Sequence, residues 1–104
     1  MGFEMKSSNM KKRLLRKGLT EFQADVLIKV MGIPRGETRT YKQVAAMAGR
    51  PHAYRAVGTA LRLNPFAPTI PCHRVIKSNG DIGNYSAPGG RRKKIEMLEA
   101  EKAI

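Results

Sequence analysis

The chain has 104 residues, enough for one small domain around a single core. Its hydrophobic fraction of 41% supports a globular interior, and no apolar run approaches the roughly 18 residues of a membrane span. Twenty Lys and Arg against eight Asp and Glu leave a net charge of +12, the electrostatic footprint of a nucleic-acid binder. An anionic membrane is the competing partner, yet no long amphipathic helix with aromatic anchors is evident. The start, Met1-Gly2-Phe3-Glu4-Met5-Lys6, lacks the apolar stretch of a secretory signal. A single cysteine excludes an internal disulfide and fits a reducing cytoplasm, near the nucleoid. That cysteine and two scattered histidines have no zinc-ligand spacing, so no metal is expected.

Residues 1–18 read as a basic leader, with Lys6, Lys11, Lys12, Arg13, Arg16 and Lys17, expected to stay mobile until it meets a polyanion. The domain proper is expected over residues 19–104. Thr20-Glu21-Phe22-Gln23 forms a capping box, and Phe22, Val26, Leu27, Val30 and Met31 recur at helical spacing until Pro34 and Gly36. Thr40 is the next cap, leading a short helix from Tyr41 to Ala48 that stops at Gly49. Pro51 opens a third helix, His52 to Leu63, with Val57, Ala60 and Leu61 facing inward. Two short helices joined by Gly49-Arg50-Pro51 have the layout of a helix-turn-helix. Prolines 65, 68 and 71 exclude regular helix from the next crossing. Arg74-Val75-Ile76 then reads as a strand, and Asn79-Gly80 as a hairpin turn returning through Ile82 to Gly83-Asn84-Tyr85. Beyond Pro88-Gly89-Gly90, a last helix runs from Arg91 to Lys102, with Ile95, Met97, Leu98 and Ile104 as its apolar side. The expected class is mainly α, a winged helix-turn-helix domain with a small β-hairpin.

The chemistry concentrates in Ile70-Pro71-Cys72-His73-Arg74-Val75-Ile76. A thiolate is the reactive form of cysteine, and neighbouring cations lower its pKa from about 8.5. A nucleophile also needs a base and something to orient that base. Against this, a lone cysteine is more often a small buried hydrophobe. On an extended strand, moreover, Cys72 and His73 would point to opposite faces. The local run leaves both readings open.

The pentad Pro71-Cys72-His73-Arg74-Val75 resembles the active-site signature of the O6-alkylguanine-DNA alkyltransferases, the methylated-DNA–protein-cysteine methyltransferases. Further blocks follow the family's order: Thr20-Glu21-Phe22-Gln23, Ile33-Pro34-Arg35-Gly36-Glu37-Thr38, Thr40-Tyr41, Arg55-Ala56-Val57-Gly58, Asn64-Pro65 and Gly83-Asn84-Tyr85-Ser86. Together they cover about Leu19 to Glu101. The resemblance implies a cofactor-free, single-turnover transferase acting on double-stranded DNA. It would move the alkyl group irreversibly from O6 of guanine, with O4-alkylthymine as a further substrate, to Cys72. His73 would take the thiol proton through a bridging water, Glu101 would orient His73, and Arg74 would tie the active-site loop to the fold.

The target base must leave the stack. By resemblance, Arg55 fills the vacated space, while Tyr41 crowds the target phosphate, bonds the flipped base and protonates the leaving guanine. The recognition helix would enter the minor groove, where Gly58, Thr59 and Ala60 let it approach closely, and Thr40 would also meet DNA. Asn64 would brace the turn below the active-site loop. Val75, Tyr85 and Ser86 would line the base pocket, with Ser86 on O6. Lys42, Arg50, Arg62 and the run Arg91-Arg92-Lys93-Lys94 are assigned to phosphate attraction.

Three departures stand out. The family's usual N-terminal domain has no counterpart ahead of Leu19, Ala87-Pro88 is a small insertion, and Cys72 stands where the alkyltransferase-like proteins usually carry tryptophan. Two rivals follow. One is a lesion sensor that binds alkylguanine and recruits excision-repair proteins without transfer. The other is a transcription regulator in which Cys72 only packs. A monomer is expected, because no dimerisation element is evident.

Overall fold

The computed structural model describes residues 3–104, with side chains from residue 8 onward. In chain order its elements are α1 (Phe3–Arg16), α2 (Glu21–Met31), β1 (Arg39–Thr40), α3 (Tyr41–Met47), α4 (Tyr54–Arg62), a 3-10 turn (Cys72–Arg74), β2 (Val75–Ile76) and α5 (Gly90–Ala100). The capping chemistry sets two helix starts. Thr20 and Gln23 exchange bonds of 3.1 and 2.9 Å ahead of α2, and Thr40 and Gln43 exchange bonds of 3.0 and 2.8 Å ahead of α3. Ala24, Val26, Leu27 and Val30 of α2 form the centre of the core, meeting Val44 and Ala45 of α3 and Val57, Ala60 and Leu61 of α4.

The helix-turn-helix expected from the sequence is α3 and α4. After α3, the Gly49 amide bonds Ala46 O at 3.0 Å and the Arg50 amide bonds Ala45 O at 2.9 Å, a paired closure. It needs the left-handed backbone that Gly49 adopts at φ +84°. Helix α4 begins at Tyr54 rather than His52, because Ala53 stands at the cap and has no side-chain acceptor for the first amides.

Three further expectations differ from the structure. The basic stretch at the start is helical, and its residues Met10 and Leu14 are buried in the core beside α2. One helical turn separates them, so they form a short apolar stripe. Arg13 lies 4.6 Å over the Phe66 ring, and Lys11 pairs with Asp25 at 2.8 Å. From residue 8 onward this segment is therefore part of the fold, not a detached leader.

The small sheet is also not a hairpin. Its strands β1 and β2 run parallel, Arg39 opposite Val75 and Thr40 opposite Ile76. The Asn79-Gly80 turn does close, with the Lys77 amide on Asp81 O at 2.9 Å, but Gly83 turns to φ +81° and the returning chain forms no strand. Since β1 leads directly into α3, the parallel pairing holds the start of α3 beside the chain that follows Cys72.

The last difference lies in α5. Leu98 is fully buried, Ile95 and Met97 are partly covered, and Ile104 is 55% exposed. The position that fills the core-facing stripe beside Leu98 is Lys94, buried to 1% exposure.

Candidate active site

Pro71 opens a 3-10 turn, closed by the Arg74 amide on Pro71 O at 2.9 Å. In such a turn successive side chains are set about a third of a revolution apart. Cys72 thus lines a surface cavity while His73 and Arg74 turn inward toward α5. The strand geometry that would have separated Cys72 from His73 does not apply.

Glu101, at the C-cap of α5, receives both inward-facing residues. Arg74 donates Nε to Oε1 and a terminal amine to Oε2, each at 2.9 Å. His73 Nε2 lies 2.9 Å from Oε2. The other Arg74 amine donates to Ile33 O at 2.8 Å, tying the turn to the end of α2. Glu101 is itself fixed by the close of its helix. The Lys102 amide bonds Glu99 O at 3.0 Å and the Ala103 amide bonds Leu98 O at 2.9 Å, with Lys102 left-handed at φ +59°. The Arg74 hydrogen bonds, ahead of the His73 bond, pull the Glu101 carboxyl down to about 2.

An ionised Glu101 accepts, so His73 Nε2 carries the hydrogen and Nδ1 keeps its lone pair. Burial lowers the pKa of His73 against the pull of Glu101, leaving a neutral imidazole. Its Nδ1 is buried with no hydrogen-bond partner among the described residues. A buried ring nitrogen that keeps its lone pair and has no partner is able to accept a proton.

Cys72 is 6% exposed. Burial pushes its thiol up, opposed by a hydrogen bond from Asn64 and by the charge of Lys94. This corrects the expectation that neighbouring cations depress it. Arg74 is committed to Glu101 and His73 is neutral, so burial dominates. Asn64 also braces the turn, donating Nδ2 to Ile70 O at 2.9 Å and accepting from the Phe66 amide at 3.0 Å.

The cavity over Cys72 measures about 470 Å³. Tyr41 and Tyr85 line it beside the thiol, Ser86 and Asn84 come from the loop before α5, and Arg55, Gly58, Thr59 and Arg62 come from α4. Gly83 lets the loop approach. A Cβ there would stand 3.2 Å from Tyr41 Oη and 3.5 Å from Lys94 Nζ, on a left-handed backbone. Burial, then the charge of Cys72, raises the pKa of Tyr41, so its hydroxyl keeps its proton. Among the described residues, no three His, Cys, Asp or Glu side chains gather as a metal site.

The family profile "6-O-methylguanine DNA methyltransferase, DNA binding domain" matches residues 21–103. The chain belongs to this family. It is 53% identical over 68 residues to the methylated-DNA–protein-cysteine methyltransferase of Methanosarcina barkeri, covering 65% of this chain and 43% of that relative. It superposes on the Mycobacterium tuberculosis OGT in complex with DNA with a TM-score of 0.77 at 45% identity, over 82% of this chain and 52% of that one. Schizosaccharomyces pombe Atl1, solved with damaged DNA containing O6-carboxymethylguanine, is also similar, with a TM-score of 0.70 at 34% identity over 80% of this chain and 77% of that one. The chain spans about half the length, or less, of the curated relatives it matches. The mainly helical fold is that of the solved alkyltransferase structures.

In this family member, the residues singled out from the sequence separate into three groups. Cys72, Tyr41, Arg55, Gly58, Thr59, Arg62, Tyr85 and Ser86 share the cavity. His73, Glu101 and Asn64 lie outside the cavity lining, the first two paired with each other and Asn64 bracing the turn before Cys72. Val75 is buried and Thr40 serves as the α3 cap, so neither side chain lines the cavity. Ala60 is buried in the core, where it packs and meets no surface partner.

Lys94 does not join its neighbours in a surface run. Its Nζ donates to Val75 O at 2.6 Å and to Asn84 O at 3.3 Å, joining β2 to the cavity wall, and burial pulls its pKa down to about 8. The available signal was register: Lys94, Leu98 and Glu101 stand at i, i+4 and i+7, one face of α5. Tyr54, Leu61, Lys77 and Asn84 also line the cavity, although no sequence motif marked them.

Proposed function

We propose that this domain repairs DNA by moving the alkyl group of O6-alkylguanine irreversibly to Cys72, after the damaged nucleotide is flipped into the cavity. The observation that carries the reading is a cavity-lining thiol followed in the chain by a His73 whose Nδ1 is buried and unpaired, with the Glu101 carboxylate on the far ring nitrogen. His73 Nδ1 takes the thiol proton through a water, and the thiolate attacks the alkyl carbon. The S–C bond forms as the C–O6 bond breaks, and the leaving guanine takes a proton from the Tyr41 hydroxyl. Tyr41 then recovers a proton from solvent as His73 gives one up. The alkylated cysteine has no exit step, so each molecule acts once. Arg55 at the start of α4 fills the gap left by the base, and Gly58, Thr59 and Arg62 face the minor groove.

The likeness to Atl1 supports a second reading, lesion binding without transfer. Intact-mass spectrometry after incubation with an oligonucleotide containing O6-methylguanine separates the two. Alkyl transfer adds one methyl group to the native chain and none to Cys72→Ala. Lesion-selective binding with no mass gain would instead place the protein with the sensors.

A further inference from the structure

A second cavity, of about 390 Å³, adjoins the one over Cys72 and shares Tyr41, Tyr54 and Lys77 with it. Lys42, Ser78 and Asn79 complete its wall, which includes two lysines and no carboxylate. Tyr54 stands one residue before Arg55, at the first position of α4, and is 38% exposed. It packs in no part of the hydrophobic core, unlike Tyr41 and Tyr85. Lys42 Nζ lies 5.6 Å from the centre of its ring. Both lysines are exposed, and neither pairs with a carboxylate among the described residues. An exposed ring that shares a cavity lining with two unpaired cations combines the two contacts by which proteins hold a nucleotide. Those contacts are stacking for the base and positive charge for the phosphate.

We propose that this second cavity is a subsite for the nucleotide adjacent to the flipped guanine, its base stacking on Tyr54 and its phosphate met by Lys42 and Lys77. The subsite rests on reading the first cavity as the seat of a flipped nucleotide. It would hold the neighbour in place while the damaged base is out of the stack. It also accounts for a large aromatic ring kept outside the core on the DNA-facing helix. The plain competitor is a brace between α3 and α4, in which Lys42 merely covers the Tyr54 ring.

The test is equilibrium binding of the full chain to a duplex with O6-methylguanine flanked on one side or the other by the fluorescent base 2-aminopurine, across a salt series. Tyr54→Ala is expected to weaken binding about 5- to 150-fold, the range for one lost base–aromatic stack, and Tyr54→Phe to retain it. The native protein should quench 2-aminopurine on one side of the lesion, and Tyr54→Ala should not. Lys42→Gln and Lys77→Gln should each reduce the slope of log affinity against log salt by about 0.9. Native affinity in Tyr54→Ala, or the native slope in both lysine variants, would overturn the subsite and leave the brace. Binding needs no alkyl transfer. A chain that binds but never gains a methyl group therefore sinks the transfer reading while this measurement still decides the subsite.

Discussion

At the scale of single residues, the site depends on what each ionisable group is prevented from doing. Burial keeps the Cys72 thiol protonated and His73 neutral, while Arg74 keeps Glu101 ionised. The resting state is therefore a thiol and an unprotonated imidazole, and under the proposed transfer the thiolate would form as His73 accepts the proton. Single-turnover methyl transfer should accordingly fall as pH drops through the lowered pKa of His73, below the ordinary value of about 6.5. A quenched time course at a series of pH values reads this directly, and a rate flat from neutral pH down to the unfolding limit would remove His73 as base. His73→Ala should slow transfer by about 10²–10⁴-fold, the usual worth of a positioned general base.

Glu101 acts one step further back. Glu101→Gln removes the charge that Arg74 and His73 both depend on, with the carboxylate side chain only 7% exposed. Its cost should be about 3–5 kcal/mol of stability, the penalty for stranding a buried partner charge, measured by urea unfolding. A loss under 1 kcal/mol would mean that Arg74 finds water instead.

At the scale of elements, short structures with strong ends aim the site. Helix α3 spans Tyr41–Met47, too short to hold itself, and takes its start from the Thr40 cap and the β1–β2 pairing. Thr40→Ala should lower stability by about 1 kcal/mol and loosen Tyr41, the first residue of that helix. Thermal melting checks the first effect, and lesion binding checks the second. Helix α5 and its cap carry Lys94, Leu98 and Glu101 on one face, so one helix ties down Asn84 of the cavity lining through Lys94 and holds His73 through Glu101.

The Gly83 loop approaches Tyr41 and Lys94 closely. Gly83→Ala places a Cβ 3.2 Å from Tyr41 Oη and forces a left-handed backbone on an L residue, a strain of about 1–2 kcal/mol. Transfer should fall more than stability alone explains, because Tyr41 must move. Melting and single-turnover rates on the same variant separate the two contributions.

At the scale of the whole molecule, two electrostatic terms act in different solvents. The net charge of +12 would draw the protein to its proposed DNA partner through exposed cations that salt screens, whereas the Glu101 cluster is buried and screened little. Binding to duplex DNA should therefore weaken steeply with salt, about 0.9 in log slope per phosphate neutralised, while the urea midpoint stays nearly constant over the same range.

Acid should act the other way, through the buried cluster. The Glu101 carboxyl titrates near 2 when folded, below its ordinary 4.5. Its contribution is complete above about 4.5 and is lost as pH falls toward about 2. The acid loss should be smaller in Glu101→Gln, and an identical acid limb in both proteins would show that other groups control it.

Local physics made much of this readable in the sequence. The capping boxes at Thr20 and Thr40 and the stop at Gly49 involve neighbours a few residues apart, so they declare themselves in sequence. So do the inward positions Val57, Ala60 and Leu61, set by helical period. The pentad around Cys72, with its family resemblance, marked the thiol, His73 and Glu101 before their distances were known. What the chain order could not decide was every outcome resting on contacts between distant segments. Such contacts buried Lys94, paired β1 with β2 in place of a hairpin, folded Met10 and Leu14 into the core and raised the Cys72 thiol. They also placed Tyr54 beside Lys42 and Lys77. Each follows from which surfaces meet and lose water, and desolvation belongs to the packed molecule alone.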